Sequence, residues 1–447
     1  MKVSGNAVYE VKWKSEIMIV NHLKTNVYTM NSIKTFLPLF CFPCMCVFGF
    51  SGAVGGGDSD WAQFQGPNRD NKSFETGLLS QWPASGPRLL WTQQGLGEGY
   101  SSIAFSDGLL YTVGNAGNDT VIVALDTTGK IRWRIKNGPA YRRSHPGTRS
   151  TPTVSEGLLY HENADGDIIC AKAKTGKNVW SVNILERFKG RNIRWGLSES
   201  LLIDEGKVIC SPGGENVGVA ALDAKTGDTV WVCTGISEKP GYCSPIVFEY
   251  EDLRQIVTLM AESIVGINAD SGKLLWKFRN PAKFDENITS PCYHKGHIFT
   301  STRTSGSRLL RIRVEGNNAT VEQVWTEQEF QNHHGGIIFL DGCFCGSCMT
   351  SRSASWKCIS CKTGQLTYSG SGIGRASLCC ADGMLYLLNH YRKVALVKAN
   401  PEEFDLIDSF EIPEQGRGPT WAHPVVAGGR LYIRHGDFLY CYDIKEK

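Results

Sequence analysis

The eleven residues ALDAKTGDTVW, from Ala221 to Trp231, recur along the chain and decide its fold. Similar copies follow one another at intervals of roughly 45 residues, a spacing typical of propellers and other repeat architectures. The copies read ALDTTGKIRW from Ala124, CAKAKTGKNVW from Cys170, GINADSGKLLWKF from Gly266 and, in a weaker form, CISCKTGQLTY from Cys358. This internal repeat has to be explained before any local feature.

Each copy predicts a β-hairpin. An apolar strand leads into a tight turn such as Lys-Thr-Gly, and a second strand that carries the Trp follows. The turn glycines, which supply the positive φ that such turns need, are Gly129, Gly176, Gly227, Gly272 and Gly364. Because the turn sets the register of the hairpin, we expect the Trp on the same face in every copy.

A second turn pattern precedes the first and is typified by SDGLLY from Ser106. Its glycines are Gly108, Gly157, Gly206, Gly296, Gly342, Gly383 and Gly429. One further unit, near Tyr250, lacks the Gly, and its turn within FEYEDLRQI is predicted to be longer and charged. With that unit included, the pattern indicates eight units.

Four strands per unit, two hairpin turns and no helical periodicity predict an all-β fold, an eight-bladed β-propeller of four-stranded antiparallel blades over residues 89–447. The last unit stops after its third strand. An unpaired strand that contains Leu89 and Trp91 lies ahead of the first unit. We expect this N-terminal strand to complete the last blade and close the ring, because closure removes exposed sheet edges.

Residues 1–53 are predicted to be a leader rather than part of the fold. Lys34 precedes an apolar run from Phe36 to Phe50, and Ser51-Gly52-Ala53 suits cleavage by a signal peptidase. The run is too short to span a bilayer, so the mature chain is expected to be periplasmic or secreted, with a membrane anchor as the less favoured alternative. Met30 would give a more compact leader and is the expected true start. Residues 54–88 form a lead-in segment.

Composition argues against nucleic acid as a partner. The chain has 47 Lys and Arg and 44 Asp and Glu, but residues 1–53 hold five Lys and two Glu, so 42 basic and 42 acidic residues balance in the remainder. Binding to phosphate backbones demands a basic face.

The repeat Ala-x-Asp-x-x-Thr-Gly-x-x-x-Trp resembles the tryptophan-docking motif of the pyrroloquinoline quinone (PQQ) repeat propellers. That family includes quinoprotein alcohol dehydrogenases and the outer-membrane lipoprotein that assists β-barrel assembly. WAQFQGPNRD from Trp61 and WPASGPRLLW from Trp82 look like the opening of secreted bacterial members. For an enzyme, the resemblance implies PQQ with a Ca²⁺ ion held by a carboxylate and an Asn, and an Asp as the base.

The cysteines leave two questions open. Cys345, Cys348, Cys358 and Cys361 have the pair spacing of a zinc site, but they fall on adjacent strands of blade six, which favours structural thiols or one cross-strand disulfide. Cys379-Cys380 resembles the adjacent-cysteine disulfide of quinoprotein dehydrogenases. The repeat places that pair on an extended strand, which favours two separate thiols.

Residues just ahead of each innermost strand should surround the mouth of the central channel. The candidate ligand-binding residues there are Tyr100, Arg149, Trp195, Glu199, Tyr242, His333, His334, Arg375, Trp421 and His423. Such side chains bind planar anions or sugars by stacking and bidentate hydrogen bonds. Alternatively, Ser-Pro and Thr-Pro pairs start the strands and the aromatic residues fill the channel. His333 and His334 are also candidate metal ligands, but because neighbours on an extended strand face opposite ways, at most one of them is expected to join a metal site.

The sequence thus favours an exported, non-catalytic scaffold that binds a protein partner or a small polar or anionic ligand at the mouth, with no catalytic residue assigned. The alternative is a PQQ-dependent alcohol dehydrogenase in which Glu199 and Arg375 engage the cofactor and its Ca²⁺. A second alternative is an envelope subunit that assembles other proteins by adding strands to exposed blade edges.

Overall fold

The structure, a computed structural model, describes residues 60–349 and 354–446. It contains eight sheets, each of four antiparallel strands, and so confirms the eight-bladed propeller. The predicted leader, including Met30, lies outside the described residues. Within them, no helix is long and apolar enough to cross a membrane.

The first four blades follow one another along the chain. Blade 1 holds β2 Ala104–Ser106, β3 Leu109–Ala116, β4 Asp119–Asp126 and β5 Ile131–Pro139, after an N-terminal strand β1 Arg88–Gln94. Blade 2 holds β6 Thr153–Ser155, β7 Leu158–Glu162, β8 Asp167–Lys172 and β9 Asn178–Asn183. Blade 3 holds β10 Leu202–Asp204, β11 Lys207–Cys210, β12 Val219–Asp223 and β13 Thr229–Cys233. Blade 4 holds β14 Ile246–Tyr250, β15 Leu253–Leu259, β16 Ser263–Asn268 and β17 Leu274–Arg279.

The other four blades complete the ring. Blade 5 holds β18 Cys292–His294, β19 His297–Thr302, β20 Gly306–Glu315 and β21 Asn318–Glu327. Blade 6 holds β22 Ile338–Leu340, β23 Cys343–Met349, β24 Ala354–Ser360 and β25 Leu366–Gly370. Blade 7 holds β26 Ala376–Ala381, β27 Met384–Asn389, β28 Lys393–Lys398 and β29 Leu406–Glu411. Blade 8 holds β30 Val425–Ala427, β31 Arg430–His435 and β32 Phe438–Asp443.

Two short helices interrupt the blade connections. The α-helix α1 Ile184–Phe188 follows blade 2 and is capped by the Asn183 side chain, which accepts from the Glu186 N–H. A 3₁₀ turn, Lys283–Asp285, follows blade 4.

The N-terminal strand completes blade 8, as predicted. β1 pairs antiparallel with β32, from Arg88 opposite Asp443 to Gln94 opposite Phe438, with a bulge between Leu89 and Trp91. The Trp91 indole N–H also donates to the Thr127 carbonyl of blade 1 at 3.0 Å. The first and last blades are therefore joined both by backbone pairing and by a side chain.

The turn of blade 4 differs from its prediction. Tyr250 pairs directly with Leu253, so the turn has the same two-residue length as the others, and the flanking strands are longer instead. Glu251 and Asp252 take φ values of 50° and 60°. Non-glycine residues tolerate this left-handed region at a cost of roughly 1 kcal/mol each, and the long five-residue strand β14 holds the turn in place.

Four of the repeated tryptophans join a blade to the next, whereas Trp276 of blade 4 donates to Gln255 of its own blade and blade 6 has Tyr368 at this position. Trp133 of blade 1 donates its indole N–H to the Ala173 carbonyl of blade 2 at 3.0 Å, and its ring lies against Gly176, where a Cβ would come within 2.8 Å of the indole. The same type of bond is made by Trp180 to Ala224, Trp231 to Ala269 and Trp325 to Cys361. We call these residues docking tryptophans, and the contact between adjacent blades a seam.

Blade 7 has no docking tryptophan in its outermost strand. Asp408 occupies the position, opposite Leu396. Trp82, from the lead-in segment, fills the space and lies with its ring centroid 6.1 Å from that of Tyr386, at an interplanar angle of 44°. Trp133 has nearly the same relation to Tyr111, at 5.9 Å and 47°. Trp82 thus takes the place that the repeat leaves without an indole.

The lead-in segment also closes the central channel. Trp61 pairs with Phe105 of blade 1, and the Cys380 N–H of blade 7 donates to the Asn71 carbonyl at 2.8 Å. Between them, the Arg69 guanidinium donates to the carbonyls of Ser200 (2.9 Å) and Pro245 (3.0 Å), in blades 3 and 4. We call residues 61–73 the channel plug, because backbone and side chains cross the channel and bond to blades on opposite sides.

Candidate functional site

A cavity of about 630 Å³ opens at the channel mouth above the plug. Phe64 and Gln65 of the plug form part of its lining. The walls come from the residues that precede the innermost strands and from the loops that connect second to third strands. Both sets lie at one face of the ring because the strands of each blade alternate in direction.

The cavity lining includes nine of the ten predicted mouth residues, namely Tyr100, Arg149, Trp195, Tyr242, His333, His334, Arg375, Trp421 and His423. The structure therefore brings together side chains that precede seven of the eight blades. That these residues bind a ligand stays a prediction.

Glu199 is the tenth predicted residue and does not line the cavity. It is buried behind the wall, and burial raises the pKa of its carboxyl to about 8, against the opposing effects of Ser211 and the positive charge of Arg69. Burial likewise lowers the pKa of Arg69 to about 10, and the charge of Glu199 opposes that shift. Glu199 thus lies close to the buried guanidinium of the plug rather than in the cavity.

The arginines of the cavity fall into two kinds. The Arg149 guanidinium is hydrogen-bonded to the backbone around it. It donates to the carbonyls of Trp195 (3.0 Å) and His145 (3.1 Å) and so stabilises the loop ahead of β6. The guanidinium groups of Arg194, Arg303 and Arg375 make no hydrogen bond or ion pair to any residue that the structure describes. Arg194 instead lies over the Trp195 ring, 5.1 Å from its centroid.

Aromatic rings and imidazoles surround Trp421. Its ring centroid is 4.8 Å from that of Tyr100, 4.9 Å from His145 and 5.2 Å from His334. Its indole N–H donates to His390 Nδ1 at 2.8 Å, which fixes the orientation of both rings. The wall beside blade 8 is therefore flat and rigid.

His333 and His334 do not face opposite ways, while the expectation that at most one of them joins a metal site stays a prediction. Both line the cavity, with their Nδ1 atoms 3.0 Å apart, because the chain bends here before β22 begins. Burial, together with Arg303 and Arg375, lowers the pKa of His333 to about 3. Burial and His333 lower the pKa of His334 well below its ordinary value. Both imidazoles are neutral at pH 7.

His423 connects the cavity wall to the plug. Its Nε2 lies 2.8 Å from the His334 carbonyl and its Nδ1 lies 3.3 Å from Asn71 Oδ1. Burial lowers the pKa of His423 to about 4. Because a carbonyl can only accept, Nε2 carries a proton and donates to His334, and the lowered pKa leaves the ring neutral at pH 7.

Hydroxyl groups hold the innermost strands of neighbouring blades together. The Thr151 N–H donates to Ser200 Oγ (2.9 Å), and the Ser200 N–H donates to Ser244 Oγ (3.0 Å). Two further steps, from Ser102 to Thr151 and from Ser244 to Ser290, extend the chain over five blades. These Ser and Thr residues therefore have the structural role that the sequence left open, while the residues around them face the cavity.

Sequence reasoning missed the lining residues on loops. They include Ser144, His145, Arg194, Glu286, Arg303 and His390. Arg303 and His390 lie between the second and third strands of their blades. The strand order alone places those turns at the mouth, so the signal was available once the eight units had been counted.

The candidate zinc cysteines do not form one cluster. Cys345 and Cys358 face each other on β23 and β24 and form a disulfide. Cys348 and Cys361 are separate thiols. Over residues 60–349 and 354–446, no group of three or more His, Cys, Asp or Glu side chains is placed to hold a metal ion. Cys379 and Cys380 lie on β26 as two buried thiols.

A family model described as outer membrane protein assembly factor BamB matches residues 117–364, more than half of the chain. The chain belongs to the BamB family. This confirms the resemblance to the PQQ repeat propellers, and the matched BamB-family region runs from blade 1 to blade 6.

Curated relatives of the BamB-family chain are dehydrogenases. It is 32% identical over 136 residues to the alcohol dehydrogenase (quinone) dehydrogenase subunit of Gluconacetobacter polyoxogenes, covering 28% of this chain and 18% of that protein. It is 28% identical over 197 residues to methanol dehydrogenase [cytochrome c] subunit 1 of Methylorubrum extorquens, covering 39% and 30%. The chain thus spans less than a third of the length of these relatives.

The structure is similar to quinohemoprotein alcohol dehydrogenase from Comamonas testosteroni, with a TM-score of 0.64 at 14% identity, covering 87% of this chain and 81% of that one. This likeness shows the fold. The prediction of a non-catalytic scaffold is contradicted by the sequence relatives, which are named as alcohol and methanol dehydrogenases. The alternative, a quinoprotein-like oxidoreductase, is the better supported hypothesis.

Proposed function

We propose that this protein is a quinoprotein-like oxidoreductase that binds pyrroloquinoline quinone in the channel-mouth cavity. The observation that carries the proposal is the cavity itself, which combines flat aromatic walls with uncompensated positive charge. The curated relatives, both named as dehydrogenases, support the reaction class.

The residues present fit the organic cofactor. PQQ is a planar, fused-ring tricarboxylate, and a cavity of about 630 Å³ has room for it and a small substrate. Trp195 and Tyr242, with ring centroids 5.7 Å apart, offer flat surfaces on one side, and Trp421 offers another. Arg194, held over Trp195, would meet a carboxylate of the ring system.

The same residues do not fit the calcium ion that the resemblance implies. Ca²⁺ takes six to eight oxygen ligands, usually including carboxylates. Among the described residues that line the cavity, Glu286 is the sole carboxylate, and the lining contains neither Asp nor Asn. Glu199 lies behind the wall, so we assign no step to a metal.

The protein's own residues would orient the reactants and accept the proton. Bound PQQ supplies a two-electron acceptor for the oxidation of an alcohol. The aromatic walls hold planar groups, and the plug prevents water from entering through the channel from below. The neutral imidazole pair of His333 and His334 is the proton acceptor that the cavity offers, in place of a carboxylate base.

Reconstitution tests the proposal. Purified protein is dialysed against PQQ, and binding is followed by the cofactor's absorbance and by titration calorimetry. We expect one PQQ per chain, no requirement for Ca²⁺, and dye reduction that depends on an added alcohol. Trp195→Ala should weaken binding at least about tenfold by removing the stacking surface. Exposed Val230→Ala, on an outer strand far from the cavity, is the control. Failure of the wild type to bind PQQ at micromolar concentration would overturn the proposal.

The BamB family match favours a second candidate, an assembly role at the envelope. Apolar side chains exposed on outermost strands, among them Val179, Val230 and Val324, are consistent with contacts to another protein there. The assembly role would be supported if the wild type captures envelope proteins and if this capture is lost when these valines are changed to Asp. Export to the periplasm is part of both proposals.

A further inference from the structure

Two arginines face the cavity without a counter-ion. Arg303 lies between β19 and β20 of blade 5, and Arg375 immediately precedes β26 of blade 7. Neither guanidinium makes a hydrogen bond or an ion pair with a residue in the described part of the chain, yet both residues line the cavity. Burial lowers the pKa of Arg375, and the positive charge of Arg303 lowers it further. The two guanidinium groups therefore repel each other in a half-buried site.

The nearby groups do not compensate this charge. Arg149 is held by backbone carbonyls and Arg194 by aromatic rings. Glu286 has three cationic neighbours, so its single negative charge cannot neutralise all of them. Burial raises the pKa of its carboxyl, and the positive charges of Arg303, Arg194 and Lys283 oppose that shift. Like charges that are drawn together in a concave site raise the free energy of the empty protein and favour an anion.

Arg375 and Arg303 lie differently relative to the wall assigned to the cofactor. Trp195 and Arg194 precede blade 3, whereas Arg375 precedes blade 7, directly across an eight-membered ring. Arg303 also lines a neighbouring cavity of about 440 Å³, together with Lys283, Thr304 and Gln331. Arg375 therefore lies across the ring from Trp195, while Arg303 lies beside a second concavity whose lining includes Phe284, the ring that packs edge-on against Trp195 at 6.3 Å.

We propose that Arg303 and Arg375 form an anion subsite that binds the carboxylate or phosphate group of the substrate, so that the substrate is a hydroxy acid or a phosphorylated alcohol. This inference rests on the proposed oxidoreductase function and adds the substrate class to it. Guanidinium groups recognise both anions through paired, charge-assisted hydrogen bonds.

The subsite lies next to the proton acceptor. His333 lies close enough to Arg303 and Arg375 for both charges to lower its pKa. An anion bound between the arginines cancels part of their positive potential and so raises the pKa of His333. The imidazole therefore becomes a better base only when substrate is present. Recognition of the anion is thereby linked to proton removal from the neighbouring hydroxyl.

Anion binding can be measured without any cofactor. Titration calorimetry of the protein with inorganic phosphate should give saturable binding that Arg375→Gln and Arg303→Gln each weaken at least about tenfold, or about 1.4 kcal/mol. Arg143→Gln, at an exposed position outside the cavity, should leave the affinity unchanged. Arg375→Lys, which keeps the charge, should retain part of the affinity, and thermal melts will show that each variant is folded. Equal phosphate affinity in wild type and Arg375→Gln would overturn the subsite.

A second experiment distinguishes the substrate from the cofactor as the source of the anion. With PQQ-loaded protein, Arg375→Gln should raise KM for glycolate about tenfold while KM for ethylene glycol, which lacks the carboxylate, stays constant. If Arg375→Gln instead abolishes PQQ binding, the pair belongs to the cofactor and the inference is wrong. If wild type binds phosphate through these arginines but never binds PQQ, the proposed function fails and the anion subsite stands.

Discussion

The seam after blade 1 and the seam after blade 7 both place an indole beside a Tyr, but the indole comes from different parts of the chain, and the Trp82 indole N–H has no hydrogen-bond partner among the described residues. In the first, Trp133 of the outermost strand packs beside Tyr111 of its own blade and donates to blade 2. In the second, Asp408 stands where the Trp should be, and Trp82 of the lead-in segment packs beside Tyr386. The Asp408 carboxylate accepts from the Trp82 backbone N–H at 2.7 Å, so the replaced residue holds the replacement in position.

This difference shows that the repeat does not complete the ring by itself. In seven blades the outermost strand follows the other three in sequence. The outermost strand of blade 8 is the N-terminal strand β1, and the indole beside Tyr386 of blade 7 comes from Trp82 of the lead-in segment. Both come from the stretch that follows the channel plug. Closure of the ring, the last seam and the base of the cavity therefore depend on one segment of about thirty-five residues.

The largest expected effect comes from Trp82→Ala. Trp82 is 5% exposed, and truncation of a buried Trp costs about 3–5 kcal/mol of unfolding free energy. Trp133→Ala, at a half-buried docking tryptophan, should cost less. Urea denaturation of both variants measures the two values, and a loss below about 1 kcal/mol for Trp82→Ala would show that the seam does not depend on the borrowed indole.

The seam contact itself can be isolated at two glycines with similar backbone angles. Gly176 (φ 70°) lies against Trp133, whereas a Cβ on Gly157 (φ 74°) would meet nothing within 4 Å. Both Ala variants carry the left-handed strain, so their difference reports the clash with the docking tryptophan. We expect Gly176→Ala to be about 1–3 kcal/mol less stable than Gly157→Ala. Equal stabilities would contradict the docking role.

Asp408 provides a test of the replacement. Asp408→Ala should cost about 1–2 kcal/mol because it removes the acceptor of the Trp82 N–H. In a Trp82→Ala background, Asp408→Trp should recover part of the lost stability by restoring the repeat, whereas Asp408→Trp alone should destabilise by crowding Trp82. Chemical denaturation of the wild type, the two single variants and the double variant gives a double-mutant cycle. If the two changes in unfolding free energy simply add, Trp82 and position 408 do not share a site.

At neutral pH the smallest expected effect is that of His333→Gln, and its dependence on pH distinguishes the mouth from the seams. His333 has a folded-state pKa of about 3 and an unfolded pKa of about 6.5, so the unfolded chain binds more protons between those values. Stability is therefore full above pH 6.5 and falls as pH drops towards 3, by at most about 1.4 kcal/mol per pH unit for this residue. His333→Gln should reduce that slope, while Trp133→Ala should leave it unchanged. Melts between pH 4 and 8 measure both.

Much of the fold was predictable because it depends on residues that are close together in the sequence. Turn glycines and a periodic Trp predicted eight blades, and the orphan strand around Trp91 predicted closure with β32. The replacement of a docking tryptophan by Trp82 was not predictable, because Trp82 lies outside the repeat and reaches Tyr386 only through the folded lead-in segment. The shortness of the blade 4 turn was missed since Glu251 and Asp252 adopt a glycine-like conformation.

The candidate site was predictable in part for a related reason. The residues predicted for the mouth were chosen because each lies just before an innermost strand. Nine of the ten line one cavity. This criterion failed for Glu199, because the side chain points behind the wall towards the buried charge of Arg69. It failed for the pairing of His333 with His334 because a bend, invisible in the residue types, replaces the expected extended strand.

The sequence alone determined the number of blades, their hairpin registers and the identity of the closing strand, because each depends on φ preferences and side-chain alternation within a few residues. Only the tertiary structure decided that the lead-in segment blocks the channel, that Trp82 completes the seam after blade 7, and that Arg303 and Arg375 meet without a counter-ion. Those features join residues far apart in the chain, and their energies come from burial and charge that exist only once the ring has closed.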